Sequence, residues 1–391
     1  MRLIAAIVSA FLAVSATGAL AAELRAAVLR LDYPQEAPIT RYDLKPGDLG
    51  FAGADLATED NATTGRFLGH TYSLEKVAVP PEEAGAALDR ILAQGIDIVA
   101  VLARDADLLA LADRAGDRAL ILNAAARGTR LRDRDCRANV LHVTPSTAML
   151  ADAAVQFAAW KKWNRLFLIR GSHEADKELA DAYRRAAARF GARIVEEREY
   201  EDTGGSRRSE SGWVLVQRQI PVFTQDARAH DAVIAADASD VFAPYLPFNL
   251  WDPRPVMGSA GLRPVSFNAA TEAWGATQFQ RRFEALSNRY IREEDYDTWL
   301  SLRVIGEAVT RTGTADRATL RDYILSDAFE LAAFKGQKVT FRAWNGQLRQ
   351  PILLYDGRIT ASVSPQDGFL HQTSPLDTLG LDAPESHCDA F

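Results

Sequence analysis

Between Gly50 and Val101 helical stretches and short strands alternate without a break, and glycine marks each helix exit. Phe51 to Ala62 reads as a helix stopped near Gly65, and the alternating run His70 to Val77 reads as a strand. A second helix, Pro81 to Gln94, opens on proline beside Glu82 and Glu83 and closes on Gly95. It leads into Ile96 to Val101, a short apolar run of the kind buried in a parallel sheet. The β-α-β-α-β-α pattern commits the chain to the α/β class, with helices layered on parallel strands.

The same plan continues downstream. Val140 to Val143 reads as a strand and Ser146 to Lys162 as a helix, with Met149, Leu150, Ala153, Phe157 and Trp160 at helical spacing. Arg165 to Ile169 is a strand, Glu174 to Phe190 a helix ended by Gly191, and Arg193 to Val195 opens another strand. Residues 201–212 are polar and Gly-rich and read as a mobile surface loop. Asp231 to Ala236 is a further apolar run, followed by Phe242, Tyr245, Phe248 and Trp251. Helices over Gln278 to Asn288 and from about Asp297 to Thr312 precede a β-rich stretch, Lys338 to Val363, with turns at Asn345-Gly346 and Asp356-Gly357.

The first 22 residues carry the marks of a cleaved secretory leader. Arg2 supplies the positive start, Ile4 to Val14 an apolar run too short to span a bilayer, and Ala19-Leu20-Ala21-Ala22 a small-residue processing site. Removing them leaves 391 − 22 = 369 residues, enough for two domains, and losing Arg2 moves the formal charge from −7 to −8. A mildly acidic chain with no basic patch gives no footprint for nucleic acid. Cys136 and Cys388 are too few to build a disulfide fold; in an exported protein they form one bridge that pins the C-terminal tail, or stand as two unrelated thiols.

No catalytic constellation emerges. There is no Walker motif, nucleophile elbow or G-x-G-x-x-G after a strand, and Gly258-Ser259-Ala260-Gly261 fits none of them. His70, His142, His173, His230, His371 and His387 never fall three to five residues apart, so no helical zinc pair exists. Ser172 and His173 are adjacent, which points the side chains apart and suits loop contacts to ligand or solvent. Asp105 with Asp107, and Asp133 with Asp135, lie in no calcium-loop pattern and read as solvated carboxylates.

Several segments resemble the branched-chain amino acid-binding family, type I periplasmic binding proteins that serve ABC importers. They are Glu59-Asp60-Asn61-Ala62 ahead of Gly65 and Gly69, Gly95-Ile96-Asp97-Ile98-Val99, Trp163-Asn164-Arg165-Leu166-Phe167-Leu168, and Tyr296-Asp297-Thr298-Trp299 ahead of a long helix. The likeness runs from about Leu24 to Tyr355. Within the family, Asp135 to His142 and Gln217-Arg218-Gln219-Ile220-Pro221 resemble a branch associated with pyrroloquinoline quinone (PQQ)-dependent alcohol dehydrogenase systems. The resemblance implies two Rossmann-like lobes with parallel sheets and three hinge crossings: residues 23–143 with 258–335, and 144–257 with 336–391. It also implies a monomer without cofactor, a small-molecule ligand in the interlobe cleft at the strand carboxyl ends, and an ABC permease that reads the closed form.

Where that family places hydroxyl-rich ligand loops, this chain carries Ala103-Arg104-Asp105-Ala106-Asp107 and Asn123-Ala124-Ala125-Ala126-Arg127. The acid that neutralises a ligand ammonium corresponds to Ala260, and the lobe-two tyrosine has no counterpart in Gly171 to Ala175. A buried ammonium without a counter-charge costs several kcal/mol, so the expected ligand is an anion gripped by arginines. Arg104, Asp105, Arg127, Ser172, His173 and Tyr245 are the expected ligand residues, with no metal site. Arg104 and Arg127 have a plainer reading as partners of Asp105, Asp107 or Asp133, and Tyr245, Phe248 and Trp251 either stack on a planar ligand or serve packing. The expected function is periplasmic uptake of an anion linked to PQQ-dependent alcohol oxidation. Lanthanide or calcium binding, and a sensor without transport, are the alternatives.

Overall fold

The computed structural model describes residues 21–35, 38–203 and 212–391. The expected leader therefore lies outside the described residues except for Ala21 and Ala22, and most of the polar 201–212 stretch does so too.

The first lobe is built from β1 (Glu23–Leu31), α1 (Phe51–Leu68), β2 (Thr71–Val79), α2 (Ala84–Ala93), β3 (Ile98–Leu102), α3 (Asp105–Ala115), β4 (Leu120–Asn123) and β5 (Val140–His142). The strands pair in parallel in the order β2-β1-β3-β4-β5. β3 and β4 are buried at every residue because both faces of the sheet are covered. Ile98, Ala100 and Leu102 enter one core, while Val99 and Val101 enter another with Leu88, Ile91 and Leu108 of α2 and α3.

The second lobe repeats the plan with α4 (Thr147–Trp160), β6 (Arg165–Gly171), α5 (Glu174–Arg189), β7 (Arg193–Tyr200), α6 (Gly212–Thr224), β8 (Ala232–Ala236), α7 (Leu246–Asn249) and β9 (Val256–Gly258). Its sheet is parallel, in the order β7-β6-β8-β9. The chain then gives β10 (Arg263–Val265), α8 (Ala276–Ser287), α9 (Glu293–Thr312), α10 (Arg317–Leu325), β11 (Leu331–Ala332), β12 (Lys338–Phe341), β13 (Leu348–Arg349), β14 (Ile352–Tyr355) and β15 (Thr360–Ser364). Phe279, Tyr296, Trp299 and Leu300 of α8 and α9 pack against the first sheet.

Core membership shows where the chain changes lobe. Val143 and Met149 lie in different cores, as do Met257 and Val265, and Leu348 and Ile352. Between the lobes, β10, β14 and β15 form a small antiparallel sheet. Side chains alternate across a strand, so Leu353 of β14 faces the first core while Ile352 and Leu354 face the second. Val339, Phe341 and Leu348 pack with the first core.

The C-terminal tail ties both lobes. Buried Asp377 accepts from Arg342 Nε at 2.8 Å and from Arg349 Nε at 2.9 Å, and Gly380 N–H donates to Asp152 of α4 at 2.7 Å. Farther on, Cys388 is disulfide-bonded to Cys136, 252 residues away, and His387 N–H donates to Asp133. Among the described residues no helix is long and apolar enough to cross a membrane.

Two element boundaries differ from expectation. α1 runs through Gly65, where a side chain would sit 2.6 Å from the Tyr72 ring, and stops at Gly69, whose φ of 77° is left-handed. α9 begins at Glu293, about one turn before Asp297, with Glu293, Glu294 and Asp295 in its first turn.

Candidate functional site

The loops at the carboxyl ends of the first-lobe strands are held by side chains from below. Buried Asn123 ends β4 and folds the next residues around its amide: Oδ1 accepts from the N–H groups of Ala125 and Ala126, and Nδ2 donates to the Ala126 carbonyl at 2.8 Å. Arg132, 2% exposed, donates to the carbonyls of Ala126, Gly128 and Thr144 and to Gln347. Burial pulls its guanidinium down to about 9. Asp105 accepts from Gly128 N–H at 3.3 Å, tying the loop after β3 to the loop after β4. A Cβ on Gly128 would lie 1.8 Å from that carboxylate and would push it off the loop. The Arg127 carbonyl accepts from both the N–H and the hydroxyl of Thr147, which fastens the loop to the start of α4.

Arg104 lies at this edge. Its guanidinium carbon stands 4.1 Å over the Tyr33 ring, and its N–H donates to the Tyr33 hydroxyl at 2.8 Å. That hydroxyl donates to Asp107 at 2.5 Å. Burial, and then the bond to Asp107, push the Tyr33 phenol up to about 12. The Arg104 guanidinium has no hydrogen-bond or carboxylate partner among the described residues.

Arg127 differs. Its Nη2 lies 3.0 Å from Glu293 Oε1, and neither Asp105, Asp107 nor Asp133 is its ion partner. Burial opposes its charge, but Glu293, Asp297 and Glu294 together raise its affinity for the proton. Glu293 Oε1 also accepts from the N–H and hydroxyl of Ser266. One helical turn on, Asp297 is 1% exposed, and burial raises its carboxyl while Arg127 and Lys335 work against that rise. Burial lowers the Lys335 ammonium, which donates to Gln350 Oε1 at 2.5 Å and the Pro351 carbonyl at 3.2 Å. Asp297 Oδ1 and Thr144 Oγ1 are both buried; the Thr144 hydroxyl lies near enough to favour the charged carboxylate, though not in good hydrogen-bond geometry.

In the second lobe, Ser172 and His173 follow β6 and both reach Asp202. Asp202 N–H donates to Ser172 Oγ at 3.2 Å, and His173 Nε2 lies 2.9 Å from the Asp202 carboxylate. Buried Asp176 accepts from His173 N–H and Ala238 N–H. Asp237 accepts from the N–H groups of Val241, Phe242 and Ala243. Tyr245 is half-buried against the second-lobe core, its hydroxyl buried and without a partner among the described residues. Phe248 and Trp251 lie on the surface, 92% and 63% exposed.

Thus Arg104, Asp105 and Arg127 gather at the first-lobe strand ends, and Ser172 and His173 at those of the second. Ala260, aligned with an ammonium-neutralising acid, is packed into the second-lobe core. Glu293, Asp297, Lys335 and Thr144 escaped sequence reading because their partners are remote; the acid-rich run Arg292-Glu293-Glu294-Asp295 was the one available signal of an earlier helix start. Among the described residues no three His, Cys, Asp or Glu side chains converge as metal ligands. Two surface depressions, of about 650 and 680 Å³, lie elsewhere, around Arg184 with Glu197 and around His371 with Asp382.

No curated protein matches the chain by sequence. Solved structures do match by fold. A branched-chain amino acid ABC transporter periplasmic ligand-binding protein from Burkholderia xenovorans superposes with a TM-score of 0.70 at 16% identity, covering 94% of this chain and 99% of that one. The leucine-, isoleucine-, valine-, threonine- and alanine-binding protein of Brucella ovis, in a closed conformation, gives 0.66 at 14% identity, covering 85% and 89%. An ABC transporter solute-binding protein from R. palustris in complex with benzoate gives 0.65 at 14% identity, covering 94% and 99%. Residues 46–208 match the model of the periplasmic binding protein family, and the two-lobed α/β architecture of the described residues matches that of type I periplasmic binding protein structures.

Proposed function

We propose that this chain is the solute-binding subunit of an ABC importer, exported to the periplasm by its cleaved leader and acting as a monomeric binder without cofactor or enzymatic activity. Its ligand is a small organic carboxylate held between the two lobes. Lobe closure on the ligand presents the surface that the permease reads.

The observation that carries this reading is Arg104: a guanidinium at the carboxyl end of β3, stacked on Tyr33 and without an anionic partner among the described residues. Such a cation suits bidentate capture of a carboxylate. A fold neighbour crystallised with benzoate supports a carboxylate-bearing ligand. Asp105, Arg127, Ser172, His173 and Tyr245 complete the proposed surroundings. The finer reading, a carboxylate linked to PQQ-dependent alcohol oxidation, rests on the resemblance of residues 135–142 and 217–221. The ion-binding alternative has no converging carboxylates to support it among the described residues.

Titration calorimetry over small carboxylates, amino acids, alcohols, calcium and lanthanides tests the proposal. At least one carboxylate binds, and Arg104→Ala weakens it by about ten- to a hundred-fold, the value of one charge-assisted hydrogen bond. Unchanged affinity in the variant, or binding by an ion alone, overturns it.

A further inference from the structure

The chain changes lobe after β5, after β9 and ahead of β14, and its C-terminal tail then joins the lobes once more. Leu379 lies in the second-lobe core, and the Gly380 carbonyl accepts from Arg189 of α5 while its N–H donates to Asp152. Asp382 is bonded to His371 and Glu385 to Arg189, so the tail is fastened to the second lobe up to Glu385. Two residues later it is fastened to the first: His387 N–H donates to Asp133, and Cys388 is bonded to Cys136. The Phe391 ring then packs against the first-lobe core. Cys136 precedes β5 whereas the first crossing follows it, so tail and crossing grip opposite ends of that strand. Near the third crossing, Arg342 holds the start of the tail from the turn between β12 and β13, through Asp377 and the Leu376 and Leu379 carbonyls.

We infer that the tail is a strap: a connection besides the three crossings, closed covalently by Cys136 and Cys388, that bounds how far the lobes rotate about those crossings. Such rotation displaces the lobes most at points away from the crossings, and the Cys136 end of β5 is one. From Glu385 to Cys388 the chain has three residues to extend, at most about 11 Å. The pairs of Asp382 with His371 and of Glu385 with Arg189 lie near the surface and are individually weak. They yield first as the lobes swing, and the disulfide then stops the motion. This goes beyond the solute-binding reading and needs no ligand identity. A bounded swing leaves less lobe freedom to lose when a solute is enclosed.

Giving the strap slack tests it. Three Gly-Ser pairs inserted between Ser386 and His387 keep the bridge, barely alter the closure entropy of so long a loop, and add up to about 20 Å of reach. Phe67 of α1 and Phe248 of α7 are exposed on the first and second lobes. Spin labels on ketone-bearing residues at those two positions report the interlobe distance by double electron–electron resonance, in the full mature chain without ligand. The slackened chain populates distances about 5 Å or more outside the wild-type range, within the reach that the insertion adds. Cys388→Ser broadens the range at least as much. Either variant, folded by circular dichroism, that keeps the wild-type range overturns the inference; the slackened chain is read only with its bridge intact, shown by the absence of free thiol. Broadening in Cys388→Ser with an unchanged slackened chain would mean that the bridge supports the fold without limiting the lobes. The carboxylate reading can fail while the strap stands, because these distances are measured without any solute.

Discussion

At the strand ends of the second lobe, Asp176 and Asp237 bind five backbone N–H groups between them, counting two and three, and Ser172 and His173 are both engaged with Asp202. At the strand ends of the first lobe, Asn123 and Arg132 brace the loops as firmly, yet the Arg104 guanidinium has no anionic partner and Glu293 Oε2 no hydrogen-bond partner among the described residues. Rigid loops with unengaged polar groups are prepared for a ligand, whereas loops whose polar groups satisfy one another are prepared to hold shape. On the proposed reading the first lobe makes the recognition contacts and the second closes over them, while the Tyr245 hydroxyl stays buried against the second-lobe core.

The largest expected effect tests whether the tail unites the lobes. Removing the Cys136–Cys388 bridge with Cys388→Ser, which opens a loop of 252 residues, lowers unfolding free energy by up to about 5 kcal/mol in the chain-entropy model. Denaturant unfolding measures it, and a loss confined to one of two separable transitions would show that the bridge serves one lobe. Next comes Asp237→Ala, which strands three buried N–H donors and is expected to cost about 3 kcal/mol or more. A loss under about 1 kcal/mol would break the view of the second-lobe loops as structural.

The first lobe has its own pH signature. Burial, and then the neighbouring Arg132, hold the His142 imidazole well below its ordinary 6.5, so it is neutral in the folded protein and takes up a proton on unfolding. Stability from this group is present above pH 6.5 and is lost as pH falls below it, by at most roughly 2 kcal/mol between pH 7 and 5. Chemical unfolding of His142→Asn, compared with wild type, should show a flatter profile over that window. The smallest effect is the sharpest for the comparison: Arg104→Ala, at an exposed side chain, should change stability by less than about 0.5 kcal/mol while weakening ligand binding. A stability loss as large as that of Asp237→Ala would erase the distinction between the two edges.

The strand-helix alternation was legible because each element buries one face and so repeats its apolar residues at period 3.6 or as a short run. β3, α4, β6, α5 and β8 fall within a few residues of where those patterns put them. The start of α9 was not legible, since its first turn is acidic and carries no apolar repeat; it is set by Asp295, which accepts from Arg292 N–H and Gly50 N–H. Gly65 misled in the opposite direction: its missing side chain marks the approach of Tyr72 and not the end of the helix.

By itself the sequence determined the α/β class and the order of most elements, which follow from local periodicity; it left Cys136 and Cys388 as a bridge or two unrelated thiols, and only the family resemblance put Arg104 and Arg127 at strand ends. Tertiary structure alone decided that Arg127 meets Glu293, 293 − 127 = 166 residues away, while Arg104 stands unpaired over Tyr33. Charge pairing depends on distance in space, which falls off over a few ångströms and leaves no periodic trace along the chain.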